Sequence, residues 1–198
     1  MGPIDIEPML ASDSEPFSRD GWIFELKWDG YRVLASKTEL ITRNKKRATD
    51  WYPEILAVLQ TLRGSFVLDG EVCALKENGL PDFENMRSRT VRRSGAPVTY
   101  FAFDLVWHNG HDLRQLPLLE RKNRLRKLVP RQTPRLQYVD YIETQGEAMF
   151  HQAVALGMEG IVAKRADSPY KGGRSRDWLK MKRSDYHNGW NRMPSEPE

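Results

Sequence analysis

The sequence contains a single cysteine among its 198 residues, Cys73, which excludes an internal disulfide. Cys73 stands in an apolar stretch without a neighbouring histidine or second cysteine, so a metal-ligand role is not expected. Chains without disulfides are typical of reducing compartments. We therefore predict a cytoplasmic setting.

Long apolar segments are also missing. No run approaches the roughly 18 residues that a membrane-spanning helix requires, so we expect no membrane partner. The N-terminal segment MGPIDIEPMLASDSEPF lacks the basic and apolar regions of a secretion signal. With 39% hydrophobic and 29% charged residues and no internal repeat, the composition is that of an ordinary folded domain.

The formal net charge of +4 is a modest indication of a polyanionic partner. Two basic stretches contribute to it. Residues 86–95, MRSRTVRRSG, have no apolar period and predict a loop that either contacts nucleic acid or is simply exposed to solvent. Residues 119–131, LERKNRLRKLVPR, have leucines at helical spacing and predict an amphipathic helix whose cations form a solvated face.

Apolar periodicity predicts the secondary structure. Strands are expected at 22–27, 31–36, 38–43, 65–75, 98–107, 135–142, 159–165 and 177–183, and helices at 51–62, 118–128 and 144–156, with one short helix near Phe83 and Met86. This mixture indicates an α+β domain over residues 1–183, with largely antiparallel sheets flanked by helices. Residues 184–198 predict a flexible C-terminal tail.

Charged side chains interrupt several of the apolar strands. Because alternate residues of a strand share a face, Glu25 and Lys27 are expected opposite the apolar face of Trp22, Phe24 and Leu26. A single such residue is explained by an edge glutamate, or by a lysine that extends to solvent.

Three further strands repeat this pattern. Glu71 interrupts the strand 65–75, Glu159 and Lys164 flank or interrupt 159–165, and Lys180 and Lys182 share one face of 177–183. Burying charges costs free energy unless they have partners. Four such strands together predict a shared pocket, in which carboxylates bind a divalent metal and lysines bind phosphate oxygens. Neither a G-x-x-x-x-G-K-[ST] loop nor a G-x-G-x-x-G loop is present, so a nucleotide would be held differently.

Six motifs in order carry a family resemblance. KWDG (27–30) resembles the K-x-D-G signature of the covalent nucleotidyltransferases, which comprise ATP-dependent DNA ligases, RNA ligases and mRNA capping enzymes. The later motifs of that family resemble TRNK (42–45), LDGE (68–71), FAFDLVW (101–107), EGIVAKR (159–165) and WLKMK (178–182). The segments EPMLA, PLLERK and LGMEGIVAKRADSPY are similar to the ligase domain of bacterial DNA ligase D. The resemblance implies an ATP-grasp-like nucleotidyltransferase domain.

The resemblance also implies roles for the motif residues. Lys27 would be the catalytic nucleophile, attacking the α-phosphate of ATP to form lysyl-AMP. Glu25 would recognise adenine, and Phe103 would stack on it. Arg32 and Arg43 would contact the ribose or the nucleic-acid phosphate. The other residues would bind ribose or metal (Glu71), metal (Glu159), the nucleotide (Lys164) and the α-phosphate (Lys180 and Lys182). AMP would then pass to the 5′-phosphate of nicked double-stranded DNA, and the 3′-hydroxyl would displace it. The implied small molecules are ATP and Mg²⁺ or Mn²⁺.

Two departures from the family pattern matter. Lys45 stands where many relatives have glycine, so the local turn is expected to differ. Family ligases also continue into an OB-fold domain, and no segment of this sequence could form that barrel. We therefore expect weak self-adenylation by this chain alone, with an OB-fold domain or end-joining proteins acting in trans.

Two alternatives to a DNA ligase remain open at this point. An RNA ligase or a GTP-using capping enzyme would share the chemistry of Lys27, and transfer of label from ATP or GTP would distinguish them. A non-catalytic module that binds nicked DNA or a repair partner would keep the pocket only as a vestige. Such a module would retain its DNA affinity without a covalent nucleotide.

Overall fold

The structure is a computed structural model that describes residues 4–92, 96–130 and 133–184. The strands are β1 (Met9–Asp13), β2 (Trp22–Leu26), β3 (Tyr31–Ala35), β4 (Leu40–Thr42), β5 (Phe66–Ala74), β6 (Val98–His108), β7 (His111–Asp112), β8 (Leu136–Tyr138), β9 (Tyr141–Glu143), β10 (Gly160–Arg165) and β11 (Gly173–Lys182). The helices are α1 (Pro53–Thr61), α2 (Phe83–Arg92), α3 (Leu118–Leu128) and α4 (Gly146–Ala155). Within the described ranges, no helix is long and apolar enough to cross a membrane.

The strands form two sheets. One has the order β1-β11-β10-β2-β9, and the other has the order β4-β3-β5-β6-β7 with β8 beside β6. The β1–β11 and β6–β8 pairs are parallel, whereas the other pairs are antiparallel. The predicted α+β class with largely antiparallel sheets is confirmed.

An apolar layer joins the two sheets. Leu34 and Val106 from the six-stranded sheet pack in one buried cluster with Met9 and Trp178 from the five-stranded sheet. Helices α1 and α3 cover the outer face of the six-stranded sheet, and α4 covers the outer face of the other. Each sheet therefore has a helix-covered face and a face turned toward its partner sheet.

Several elements differ from the prediction. The expected strand 135–142 is divided into β8 and β9, which belong to different sheets, because the chain crosses between them at Val139 and Asp140. Strand β1 was not predicted. Its apolar sequence is short, and the strand exists through parallel pairing with β11, about 160 residues away.

The basic stretch 86–95 was predicted as a loop, and that prediction is wrong for residues 86–92, which belong to helix α2. Helix α2 includes them because the Asp82 side chain accepts a hydrogen bond from the backbone N–H of Asn85 (3.0 Å) and so caps the helix. Met86 is fully buried and anchors the first turn. Residues 93–95 of this stretch, and 185–198 of the expected C-terminal tail, lie outside the described residues.

The turn after β4 contains Lys45 in the left-handed conformation (φ 61°), the conformation that glycine favours. Its backbone N–H donates to Thr42 O (2.9 Å), and the N–H of Lys46 donates to Thr42 Oγ1 (3.1 Å). These hydrogen bonds hold the turn despite the side chain at this position. Arg43, in the same turn, lines the space between the sheets.

Candidate active site

A cleft of about 500 Å³ opens between the two sheets. All ten residues that the sequence marked as candidate site residues line it: Glu25, Lys27, Arg32, Arg43, Glu71, Phe103, Glu159, Lys164, Lys180 and Lys182. Seven lie on six strands and three lie in loops beside β2, β4 and β10, and the fold brings them together from positions up to 157 residues apart. The cleft lining holds eight Lys and Arg side chains against four Asp and Glu, an excess that suits a polyphosphate.

Lys27 directly follows β2 at the centre of the cleft. Its backbone N–H donates to Gly160 O (3.0 Å), and its Nζ donates to Glu159 Oε2 (2.5 Å). Glu159 is 1% exposed, and its second oxygen lies 3.2 Å from Lys182 Nζ. One buried carboxylate therefore holds both a candidate nucleophile and a candidate phosphate ligand.

Gly30 explains why the turn after Lys27 is so tight. A Cβ atom at this position would lie 2.1 Å from Val72 O and 2.7 Å from Cys73 Sγ, so only glycine lets the turn pack against β5. The preceding ring, Trp28, stacks on Phe101 with centroids 3.6 Å apart and an interplanar angle of 15°. These contacts hold the segment that contains Lys27 against the six-stranded sheet.

Glu25 lies at the inner end of the cleft and is 2% exposed. Lys122 donates a hydrogen bond to its Oε1, and Lys164 Nζ lies 2.6 Å from its Oε2. Lys164 Nζ also lies 4.3 Å and 4.2 Å from the ring centroids of Phe103 and Trp178. Burial lowers the pKa of Lys164 more than the ion pair with Glu25 raises it.

The helix α3 corrects the expectation of a solvated basic face. Arg121 and Lys122 are fully buried, whereas Arg126 and Lys127 are exposed. Arg121 forms two hydrogen bonds of 2.8 Å with the carboxylate of Asp104. The signal was present in the sequence, because positions 118, 121, 122 and 125 have the i, i+3, i+4, i+7 spacing of one helix face.

Arg32 lies on β3 and extends across the cleft wall. Asp69 binds it through two hydrogen bonds of 3.0 and 2.6 Å, and Tyr170 donates a third hydrogen bond to Asp69 (2.6 Å). The Arg32 guanidinium carbon lies 5.2 Å from the Phe103 ring centroid and 5.6 Å from that of Trp178. Arg32 is thus held in place before any ligand binds.

An aromatic wall closes one side of the cleft. Phe103 on β6 and Trp178 on β11 pack edge to face, with centroids 5.9 Å apart. Phe103 is half-buried, and Val162 also lines the cleft. A partly exposed ring beside a buried carboxylate can hold a planar base.

Glu71 on β5 is half-buried, and burial raises its pKa from the ordinary 4.5 to about 8, against the opposing effect of Lys27 and Arg32. Between these two pH values the folded chain binds one more proton than the unfolded chain. Stability therefore falls as the pH rises from about 5 to 8.

We expect Glu71→Gln to remove this pH dependence. In urea denaturation without divalent cations, the variant should match the wild type at pH 5 and exceed its free energy of unfolding by about 1–3 kcal/mol at pH 9. Glu77→Gln, an exposed glutamate beyond the same strand, is the matched control and should show no such trend. An equal difference in the free energy of unfolding at pH 5 and pH 9 would contradict the assignment of this pH dependence to Glu71.

A divalent metal is compatible with the acidic residues of the cleft. Among the described residues, no group of three or more His, Cys, Asp or Glu side chains could form a metal cage. Mg²⁺ does not need one, since it binds through one or two carboxylates while water and substrate phosphates complete its coordination. Glu71 and Glu159 fit that requirement as a pair of donors on the cleft lining.

A lysine paired with a buried carboxylate, in a cation-rich cleft with an aromatic wall, is an arrangement suited to nucleotidyl transfer. The profile of the family described as "ATP dependent DNA ligase domain" matches residues 8–182, and the chain belongs to this family. The expected family resemblance is therefore confirmed, and the RNA ligase and capping-enzyme alternatives lose their support.

Two curated relatives and one solved structure illustrate the similarity. The "Multifunctional non-homologous end joining protein LigD" of Pseudomonas aeruginosa is 36% identical over 184 residues, which are 89% of this chain and 22% of that protein. The "SPbeta prophage-derived DNA ligase-like protein LigB" of Bacillus subtilis is 36% identical over 188 residues, 91% of this chain and 68% of that protein. The structure "mycobacterial DNA ligase D complexed with ATP and MES" is 30% identical with a TM-score of 0.79, covering 92% of this chain and 62% of that one. The chain thus spans about a fifth of the LigD protein.

Proposed function

We propose that the chain is the adenylation domain of an ATP-dependent DNA ligase, over residues 1–183, which acts on nicked double-stranded DNA. The observation that carries the proposal is Lys27, in a cleft where cations and buried carboxylates from both sheets converge. The family match over residues 8–182 supports it, as does the ATP bound by the mycobacterial relative.

In the first step, Lys27 Nζ attacks the α-phosphorus of ATP. An N–P bond forms, the bond to the bridging oxygen breaks, and pyrophosphate leaves. The amine must first release its proton, and Glu159 Oε2 is already hydrogen-bonded to it as an acceptor. Lys180 and Lys182 would bind the non-bridging oxygens, on which negative charge accumulates.

In the second step, an oxygen of the DNA 5′-phosphate attacks the same phosphorus and the N–P bond to Lys27 breaks. In the third step, the 3′-hydroxyl attacks the 5′-phosphate, and AMP leaves as the strand is sealed. Arg32 and Arg43 would contact the ribose and the nucleic-acid phosphates, while Phe103 would stack on adenine. Arg32 is suited to this role because Asp69 already holds it in place.

Glu71 and Glu159 would hold Mg²⁺ or Mn²⁺. A metal bound there would neutralise the phosphate charge that opposes attack by the amine. Lys164 would contribute to the nucleotide site through its position between Glu25 and the rings of the aromatic wall.

The partners beyond the nick are also proposals. The basic stretch 86–95, in which Arg87 is exposed, would contact DNA phosphates, for which its charge is suited. An OB-fold domain or end-joining proteins would complete the ligase, since this chain matches only 22% of the length of the LigD relative. The cytoplasmic setting remains a prediction, supported by the buried free thiol of Cys73.

The proposed function is tested by offering the purified chain ATP or GTP with Mg²⁺, and then two nicked DNA substrates. We expect covalent AMP from ATP only, seen by intact-mass spectrometry, and faster sealing of a pre-adenylated nick than of an ordinary nick with ATP. A chain that forms no adduct and seals neither substrate would overturn the proposed function. Efficient sealing of the ordinary nick by this chain alone would refute the expected need for a partner.

A further inference from the structure

Lys122 is a buried cation that the proposed chemistry does not use. It is fully buried on α3 and is not among the residues that line the cleft. Its Nζ donates to Glu25 Oε1, to Val139 O (2.8 Å) and to Phe103 O (3.4 Å). Two of the three donors of the ammonium group are thus directed at the candidate base-reading carboxylate and at the backbone of the candidate stacking residue, and the third is directed at Val139 O.

Lys122 and Lys164 contact different oxygens of the Glu25 carboxylate. Lys122 binds Oε1 from behind the cleft wall, and Lys164 lies 2.6 Å from Oε2 on the cleft side. An ionised carboxylate has about four acceptor positions and no donor, so Glu25 retains room for another donor but none for another acceptor.

Packing alone does not account for a lysine at this position. A buried ion pair is often no more stabilising than apolar side chains of the same volume, and Leu118 and Leu125 on the same face already supply apolar packing. The neighbouring Arg121 differs, since its bonds reach Asp104, Leu116 O and Ser168 O, none of which lines the cleft. Two adjacent buried cations on one helix therefore have separate partners, and only Lys122 contacts the candidate nucleotide site.

We propose that Lys122 is a specificity-determining positioning residue, which holds Glu25 as an acceptor-only carboxylate so that the cleft prefers a 6-amino purine to a 6-oxo purine. This inference rests on the proposed function, because it takes the base to lie between Phe103 and Glu25. An exocyclic amino group donates to the carboxylate, whereas a 6-oxo group would place two acceptors against each other. Without Lys122, Glu25 loses the bond that fixes one oxygen, and the carboxylate can turn away from the base edge.

The test compares equilibrium binding of ATP and ITP by isothermal titration calorimetry without divalent cations, so that no chemistry intervenes. We expect the wild type to prefer ATP, and Lys122→Met to lose about tenfold or more of that preference, mainly through weaker ATP binding. Arg121→Lys is the matched control on the same helix, and it should keep the wild-type ratio even where it lowers the melting temperature. An unchanged ratio in folded Lys122→Met would overturn the inference.

A double-variant cycle separates positioning from general damage. If Lys122 acts through Glu25, adding Lys122→Met to Glu25→Gln should change the ATP-to-ITP ratio by less than about twofold. An independent further loss in the Glu25→Gln background would overturn the inference. Should Lys122→Met lack a cooperative melting transition, Lys122→Gln takes its place, with the same two deciding outcomes.

Failure of this inference is distinguishable from failure of the proposed function. A wild type that forms no covalent AMP and seals neither nicked substrate refutes the ligase proposal, yet its ATP and ITP affinities still decide the role of Lys122. A wild type that is adenylated but binds ATP and ITP equally overturns the role of Lys122 and leaves the ligase proposal standing.

Discussion

Lys27→Ala is expected to abolish covalent attachment of AMP, a loss of about a thousandfold or more, while a pre-adenylated nick is still sealed. The first step needs the Lys27 amine because the N–P bond forms at Nζ. The sealing step uses the DNA 3′-hydroxyl as its nucleophile, so it requires the cations and carboxylates of the cleft but not this amine. The two steps should therefore respond differently to one substitution.

The measurement is intact-mass spectrometry after incubation with ATP, followed by sealing of a pre-adenylated nick by the same preparations. Lys76→Ala, an exposed lysine beyond β5, is the control and should behave as the wild type. An adduct that persists in Lys27→Ala would assign the nucleophile to another lysine. A protein that binds nicked DNA equally well with and without Lys27, and is never adenylated, would be the non-catalytic module.

The cleft residues that lie on strands could be predicted, because the face on which a strand side chain lies follows from its position in the sequence. Alternation along β2 was enough to separate Glu25 and Lys27 from Phe24, which packs with Met181 on the opposite, helix-covered face. The same rule set Lys180 and Lys182 apart from Met181 on β11. A two-residue period needs no knowledge of the partner strand.

The burial of Lys122 beside Glu25 was not predicted in this way. Lys122 has helical spacing with Leu118 and Leu125, but a charged residue on an apolar face is usually assigned to solvent. What makes its burial possible is Glu25, 97 residues earlier in the chain, and nothing local relates the two. Similarly, the division of 135–142 between two sheets depends on which strands lie beside each half. Contacts over long sequence separation decided every one of these differences.

Asp69→Asn is expected to lower the free energy of unfolding by about 3–5 kcal/mol and to impair adenylation. Asp69 is fully buried, and Arg32, which it binds through two hydrogen bonds, is 16% exposed, so the amide would leave a guanidinium without its main counter-charge. An asparagine has nearly the same volume, so cavity formation does not contribute. The loss would come from electrostatics and from the hydrogen bond that Tyr170 donates to Asp69.

The chain supplies a matched control for this prediction. Asp112 binds Arg114 at the same distance (2.6 Å), but both side chains are about 40% exposed, and Asp112→Asn should cost less than about 1 kcal/mol. Adding Arg32→Met to Asp69→Asn should recover part of the stability, because the unpaired charge is removed, but none of the activity. Urea denaturation and adenylation, both measured on the wild type, Asp69→Asn and the double variant, would show this. Equal losses of unfolding free energy in Asp69→Asn and Asp112→Asn would mean that burial does not strengthen the Arg32 ion pair. Recovered adenylation activity in the double variant would mean that Arg32 has no role in the reaction.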